Sequence, residues 1–223
     1  MIYQIKTTEL PETKRKLVDA GVNLMRARGF NATTVDDICA EAGVTKGGFF
    51  HYFKSKEELA KAAVVRFSDR KSEVEDEAAF RKLADPLARV YGRMDFIKES
   101  VGGTKRLTKG CLIGMFAQEV SFTHPELRSV CQTALLRMAQ DFEKDLAEAK
   151  AAYVPKAKFD PMRLAVMFVS VFQGSSMLAK ASETNAVLLD NIEEFRRYLQ
   201  TLFNQTRPVG KRPAEVSGKA ARS

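Results

Sequence analysis

The chain of 223 residues has no tryptophan, two histidines and three cysteines. Cys39, Cys111 and Cys131 lie far apart and form no Cys-x-x-Cys pair, and His51 and His124 are the only imidazoles. That scarcity argues against a structural zinc site and against a disulfide framework, so no metal and no cofactor is expected. A Ser-His-Asp set, a glycine-rich phosphate loop and an acidic metal cluster are likewise missing, which argues against an enzyme. Long apolar runs are missing too. No stretch of 18 consecutive apolar residues occurs, and the opening MIYQIKTTELPE has no signal-like apolar segment. A cytoplasmic protein without a membrane partner is the expectation. Runs of β-branched residues with a period of two are nearly absent, which removes the sheet classes.

What remains is a helix-forming composition, 45% hydrophobic and 29% charged, and the fold class expected is all-α. The formal charge is +8, but its location matters more than its size. Residues 1–66 carry 11 Lys/Arg against 8 Asp/Glu, and residues 207–223 carry 5 against 1. Half of the excess therefore sits in the last few residues, and net charge alone is weak evidence for a nucleic-acid partner.

Start and stop signals divide the chain. Residues 1–10 form an N-terminal arm. Pro11 opens a first helix that Arg28-Gly29 ends. Thr34 is a good N-cap for VDDICAEA, Gly43 closes that helix, and Thr45 caps a short third helix to about Phe53. Ser55 with Glu58 makes a capping box for a longer fourth helix. Helices are further expected over 83–100, 111–122, His124-Pro125 to about Tyr153, Asp160-Pro161 to about 182, and about Val187 to Phe203, with SVGGTKRLTKG as a loop. The domain division is then 11–66, a helix-turn-helix domain including the start of a linking helix, 67–206, an effector-binding and dimerisation domain, and 207–223, a disordered basic tail.

The short third helix, KGGFFHY, contains two glycines, each costing about 1 kcal/mol against alanine, so a close backbone approach is indicated. Lying in a major groove, Gly47 and Gly48 would let the backbone approach DNA. Thr45 offers a hydroxyl to phosphate, as Thr34 does across the groove. Lys46 reaches a base edge or a phosphate, His51 and Tyr52 flank the backbone, and Lys54 and Lys56 continue a cationic edge. Phe49 and Phe53, four residues apart, share a face and anchor the helix to the core.

These residues carry a family resemblance. TTVDDICAEAGVTKGGFFHYFKSKEEL resembles the DNA-binding signature of the TetR family of transcriptional regulators, at TTV, I, A, AGV, KG, HYF and SKEEL, over about residues 12–60. Two positions depart from it. Phe50 stands where tyrosine is usual, removing a phosphate-contacting hydroxyl, and Gly48 replaces threonine, serine or alanine. The resemblance implies a homodimer on a palindromic double-stranded DNA operator, with recognition helices about 34–36 Å apart. It also implies repression relieved by a small-molecule effector.

In residues 67–206, methionine and phenylalanine at helical spacing suit both a core and an adaptable apolar cavity. The pocket expected between helices 83–100, 111–122, 124–153 and 160–182 uses Met94, Phe96, Cys111, Met115, Phe116, Phe122, Phe168 and Phe172. The last two helices are expected to pair subunits, through Leu164, Val171, Ser175, Leu178, Phe195, Leu199 and Leu202. Cys111 follows Lys109-Gly110 at a helix start, a setting that lowers a thiol pKa. KGCL resembles an electrophile-sensing subgroup of the family, in which a later lysine, here Lys180, acts with the cysteine. The alternatives are thus a thiol-based redox or electrophile sensor acting through Cys111, an activator, or a buried structural thiol.

Overall fold

The structure, a computed structural model, describes residues 10–102 and 110–204. The N-terminal arm, most of the SVGGTKRLTKG loop with Lys109, and the basic tail lie outside these residues. Among the described residues there are nine α-helices and no strand. They are α1 (Glu12–Arg28), α2 (Val35–Ala42), α3 (Lys46–Tyr52), α4 (Lys56–Glu77), α5 (Pro86–Gly102), α6 (Leu112–Val120), α7 (Pro125–Tyr153), α8 (Pro161–Ala181) and α9 (Ala186–Asn204). A single 3₁₀ turn, Ala79–Lys82, joins α4 to α5.

Local chemistry sets these boundaries. Thr34 accepts the backbone N–H of Asp37, and the Asp37 carboxylate returns a bond to the backbone of Thr34, closing a capping box. Gly43 ends α2 with φ +64, a left-handed conformation that a side chain resists. Ser55 caps α4 by accepting from Glu58 N–H, but the Glu58 carboxylate reaches one residue further, to the N–H of Lys54 at 2.7 Å. Asp160 caps α8 directly before Pro161, whose missing N–H costs nothing in the first turn. α6 is shorter than expected. It stops at Val120, and Phe122 falls in the turn beyond it, with its side chain 98% exposed.

Two hydrophobic cores form, and they do not divide at residue 66. The first joins α1 to α4 (Leu17, Met25, Ile38, Phe49, Phe53, Leu59) with α6 and the start of α7 (Ile113, Phe116, Leu127, Cys131). The second gathers α5, the rest of α7, α8 and α9 around Met94, Phe142, Phe168, Phe195 and Leu199. α7, 29 residues and roughly 43 Å long, belongs to both. α4 runs unbroken through position 66. The core of the helix-turn-helix therefore extends onto α6, which packs against α1 and α4.

Candidate functional site

α3 is held from beneath. Phe49 is wholly buried and Phe53 nearly so, while Thr45, Lys46, Gly47, Phe50 and His51 are exposed, and Gly48 and Tyr52 are half-buried. One face of a two-turn helix thus anchors it, and the opposite face presents hydroxyl, cation, glycine and imidazole together. Phe50 is 51% exposed and leans edge-on against Phe49. His51 and Tyr52 meet edge to face at 4.7 Å between ring centroids.

The two glycines differ in kind. A Cβ at Gly47 would have only the Thr45 hydroxyl within 4 Å, at 3.9 Å, so nothing inside the chain forbids one. A Cβ at Gly48 would stand 2.8 Å from Val44 Cγ1, too close unless the Val44 side chain or the turn shifts. Packing against Val44 accounts for Gly48. The outward face of Gly47 is left without an internal cause.

Some of the expected contact groups are already engaged. Lys46 Nζ lies 2.9 Å from Asp36, and the hydrogen bond and charge of that carboxylate raise the lysine pKa. Thr34 donates its hydroxyl to Asp37 at 2.6 Å, so the proton expected to face phosphate points at a carboxylate. Thr45 accepts from Gly48 N–H at 3.1 Å and keeps its donor. Lys56 corrects the sequence-based expectation. Its ammonium turns inward, donating to the carbonyls of Phe30 and Thr33 at 2.9 Å each and sitting 4.3 Å above the Phe30 ring. Burial there lowers its pKa. Lys54 is exposed and carries the cationic edge instead.

The α1–α2 turn that Lys56 grips is held from its other side by α6. The Glu119 carboxylate accepts the N–H groups of Phe30 at 2.8 Å and Asn31 at 2.7 Å. Gly29, with φ +90, makes room for it: a Cβ there would meet Glu119 Oε2 at 3.0 Å. His124, past the end of α6, stacks edge-on against Phe30 at 5.0 Å rather than capping α7. At the opposite end of α6, Arg26 of α1 donates to the carbonyl of Gly110 at 3.0 Å. α6 is consequently bolted to the helix-turn-helix at both of its ends.

The sensor residues separate. Met94 and Phe116 are wholly buried and Phe122 is almost wholly exposed, and none of the three lines either of the two cavities that follow. A small cavity of about 30 Å³, enough for roughly one water, is bounded by Phe168, Phe172 and the buried Arg93. A larger cleft of about 590 Å³ opens between α1, α4, α5 and Phe172 of α8. Phe96 and Phe172 line it. Its walls thus include the helix-turn-helix domain, which the sequence-based expectation of a cavity among α5 to α8 did not foresee. Met115 lies in contact with Lys180, whose ammonium is 3.8 Å from the thioether sulfur. Cys111, at the N-cap of α6, is only 7% exposed and accepts from the Gln173 side-chain amide at 3.4 Å. That geometry gives Lys180 to Met115 and covers the thiol, against the pairing of Cys111 with Lys180.

Sequence reasoning missed three groups. Glu119 had a faint signal, as the single charge in the apolar run CLIGMFAQEVSF. Arg26 had none beyond its place near a helix end. Also missed was a buried charge network in which Arg93 pairs with Glu75 at 2.8 Å and Asp145 at 3.5 Å, while Arg89 joins Asp145 at 2.9 Å. It fastens the end of α4 to α5 and α7.

Residues 17–63 match the bacterial regulatory proteins of the tetR family, and residues 86–201 match the tetracyclin repressor-like C-terminal domain. The transcriptional regulator AcuR of Cereibacter sphaeroides is 30% identical over 74% of this chain and 75% of its own length. The transcriptional repressor DhaR of a Mycobacterium species is 26% identical over 87% of this chain and 92% of its own. A TetR regulatory protein of known structure from Rhodobacter sphaeroides superposes with a TM-score of 0.73 at 25% identity, over 86% of this chain and all of its own.

Proposed function

Because the chain belongs to the TetR family of bacterial transcriptional regulators, DNA-binding proteins and not enzymes, we propose that it acts as a homodimeric repressor released from a palindromic operator by a small-molecule effector. The observation that carries this reading is the outward face of α3, where Thr45, Lys46, Gly47 and His51 stand exposed above a buried Phe49. Gly47 is the centre of that face, because nothing within the chain requires it. Residues 11–66 form the reading head and residues 67–206 the sensor. As a regulator of bacterial transcription the protein works in the cytoplasm.

Pairing of subunits is supported by α8, the one helix among the described residues long and apolar enough to cross a membrane, yet only 33% buried over its most apolar window. Its uncovered side carries Val166, Met167, Met177 and Leu178 around Ser170 and Gly174, and α9 adds Tyr198. An apolar stripe with small residues at its centre suits close approach of a second copy. Of the residues expected at that interface, Leu164, Ser175, Phe195 and Leu199 are buried within the chain, while Leu178 is exposed and Val171 and Leu202 are half-buried.

Release follows from α6. A ligand that displaces this helix pulls on the α1–α2 turn through Glu119 and changes how α3 is presented. The test is a mobility-shift titration of the full chain on DNA from its own upstream region. Binding should weaken steeply with added salt, and Lys46→Ala and Tyr52→Ala should each lose affinity while remaining folded. Unchanged affinity in both variants would remove the α3 assignment.

A further inference from the structure

The cleft between α1, α4 and α5 has the size of a small-molecule site, about 590 Å³, and an uneven balance of charge. Arg26, Arg66, Arg70 and Lys71 face Asp19 and Glu75 across it. Both carboxylates are already engaged: Asp19 holds Arg66 at 3.2 Å and Glu75 holds the buried Arg93 at 2.8 Å, with Lys71 also within 3.7 Å of Glu75. Arg26 and Arg70 have no carboxylate partner among the described residues. Arg26 is the more telling of the two. Its guanidinium lies 5.1 Å above the Phe67 ring, its one hydrogen bond goes to the Gly110 carbonyl, and its Nε is buried with no acceptor. That Nε is shut away from solvent, so the donor open to the cleft is Nη1, which has no hydrogen bond among the described residues, and the terminal edge of a guanidinium fits a carboxylate through two parallel bonds.

We propose that this cleft binds an organic monocarboxylate, its carboxylate on Arg26 and its apolar body against Phe67, Phe96 and Phe172. The Arg26 guanidinium set against Phe67, with Phe96 and Phe172 lining the same cleft, fits one planar anionic head on an apolar body better than a polar phosphate monoester. Arg70, exposed on α4, steers the anion into the cleft. The inference deepens the repressor reading by naming the effector class, and it rests on that reading. It also supplies a route. Arg26 ties α1 to Gly110, two residues before α6, and a carboxylate on the guanidinium competes with that bond. The same ligand therefore touches α1 directly and loosens one of the two bolts on α6.

The experiment is isothermal titration of the full chain with butanoate, hexanoate, octanoate and benzoate, each beside its primary amide, with operator binding measured on the same preparations. At least one acid should bind, with its uncharged amide weaker by about tenfold or more. Arg26→Gln should remove that difference. Arg70→Gln, at an exposed position that folding does not need, should slow association and weaken the acid alone. Equal binding of acid and amide, no binding of any of the acids by protein that shifts operator DNA, or affinities untouched by both variants would each overturn the assignment. Failure of the repressor reading is distinguishable, since it shows as carboxylate binding by a protein that shifts no operator.

Discussion

Replacing Glu119 by alanine tests the connection between α6 and the reading head. The Glu119 carboxylate accepts two backbone N–H groups, from Phe30 and Asn31, at 2.8 and 2.7 Å. Hydrogen bonds to a charged acceptor contribute about 1.5–3 kcal/mol each. Glu119 is half-exposed, so water recovers part of that on opening, and a combined loss of about 2 kcal/mol is the reasonable figure. Two kilocalories correspond to roughly a 30-fold change in an opening equilibrium. Amide hydrogen exchange reads that equilibrium directly, residue by residue. Phe30 and Asn31 should exchange about 30-fold faster in Glu119→Ala, with the α2–α3 turn unaffected. Glu119→Gln keeps one acceptor of reduced strength and should fall between. Protection of both amides within about threefold of the parent, a difference under ~0.7 kcal/mol, would refute the reasoning. The loop would then be held by Lys56, by the Thr33 hydroxyl on the Gly29 carbonyl and by packing of Phe30 on Phe116 and His124, and the Glu119 carboxylate would not be what couples α6 to it.

Gly47→Ala should leave the fold as stable as before, or up to about 1 kcal/mol more stable from helix propensity, while weakening operator binding. Gly48→Ala should gain the same propensity but lose about 1 kcal/mol or more against Val44, leaving thermal stability near the parent value; a clear stabilisation would contradict the contact. Asp36→Asn should strengthen DNA binding several-fold at low salt, by releasing Lys46 and removing a negative charge from the face; fluorescence anisotropy at two ionic strengths checks it. Met177→Glu with Leu178→Glu should convert dimers to monomers in light scattering and abolish operator binding together, and dimers that persist would move the interface elsewhere. For the thiols, burial pushes Cys131 up to about 12, so its alkylation should stay negligible at neutral and mildly alkaline pH. Cys111, covered by Gln173, should also label slowly in native protein, and rapid labelling of Cys111 would restore the electrophile-sensing alternative.

Much of the fold was legible because its punctuation is local. Thr34, Thr45, Ser55, Asp160-Pro161, Gly29 and Gly43 each act within a turn of where they stand, so the helix limits read from them fall within a few residues of those observed. α6 ran short because nothing in SFTHP marks Val120 rather than Phe122 as its last residue. The face of α3 was legible for a similar reason, since Phe49 and Phe53 declare which side is buried. The state of its side chains was not. Whether Lys56 points at DNA or at the carbonyls of Phe30 and Thr33 depends on a turn that sits 23 to 26 residues earlier in the chain.

The amino-acid sequence by itself determined that this is a helical DNA-binding regulator, because caps, glycine stops and one aromatic face are short-range chemistry that needs no partner. Only the tertiary structure decided which groups are free to act. It turned Lys56 inward, left Met94, Phe116 and Phe122 off both cavities described above, and set Lys180 against Met115. It also brought Glu119 to a turn nearly ninety residues away. Those outcomes depend on how α1, α4, α6 and α8 pack, and packing between distant segments leaves no periodic or local trace in the residues that take part.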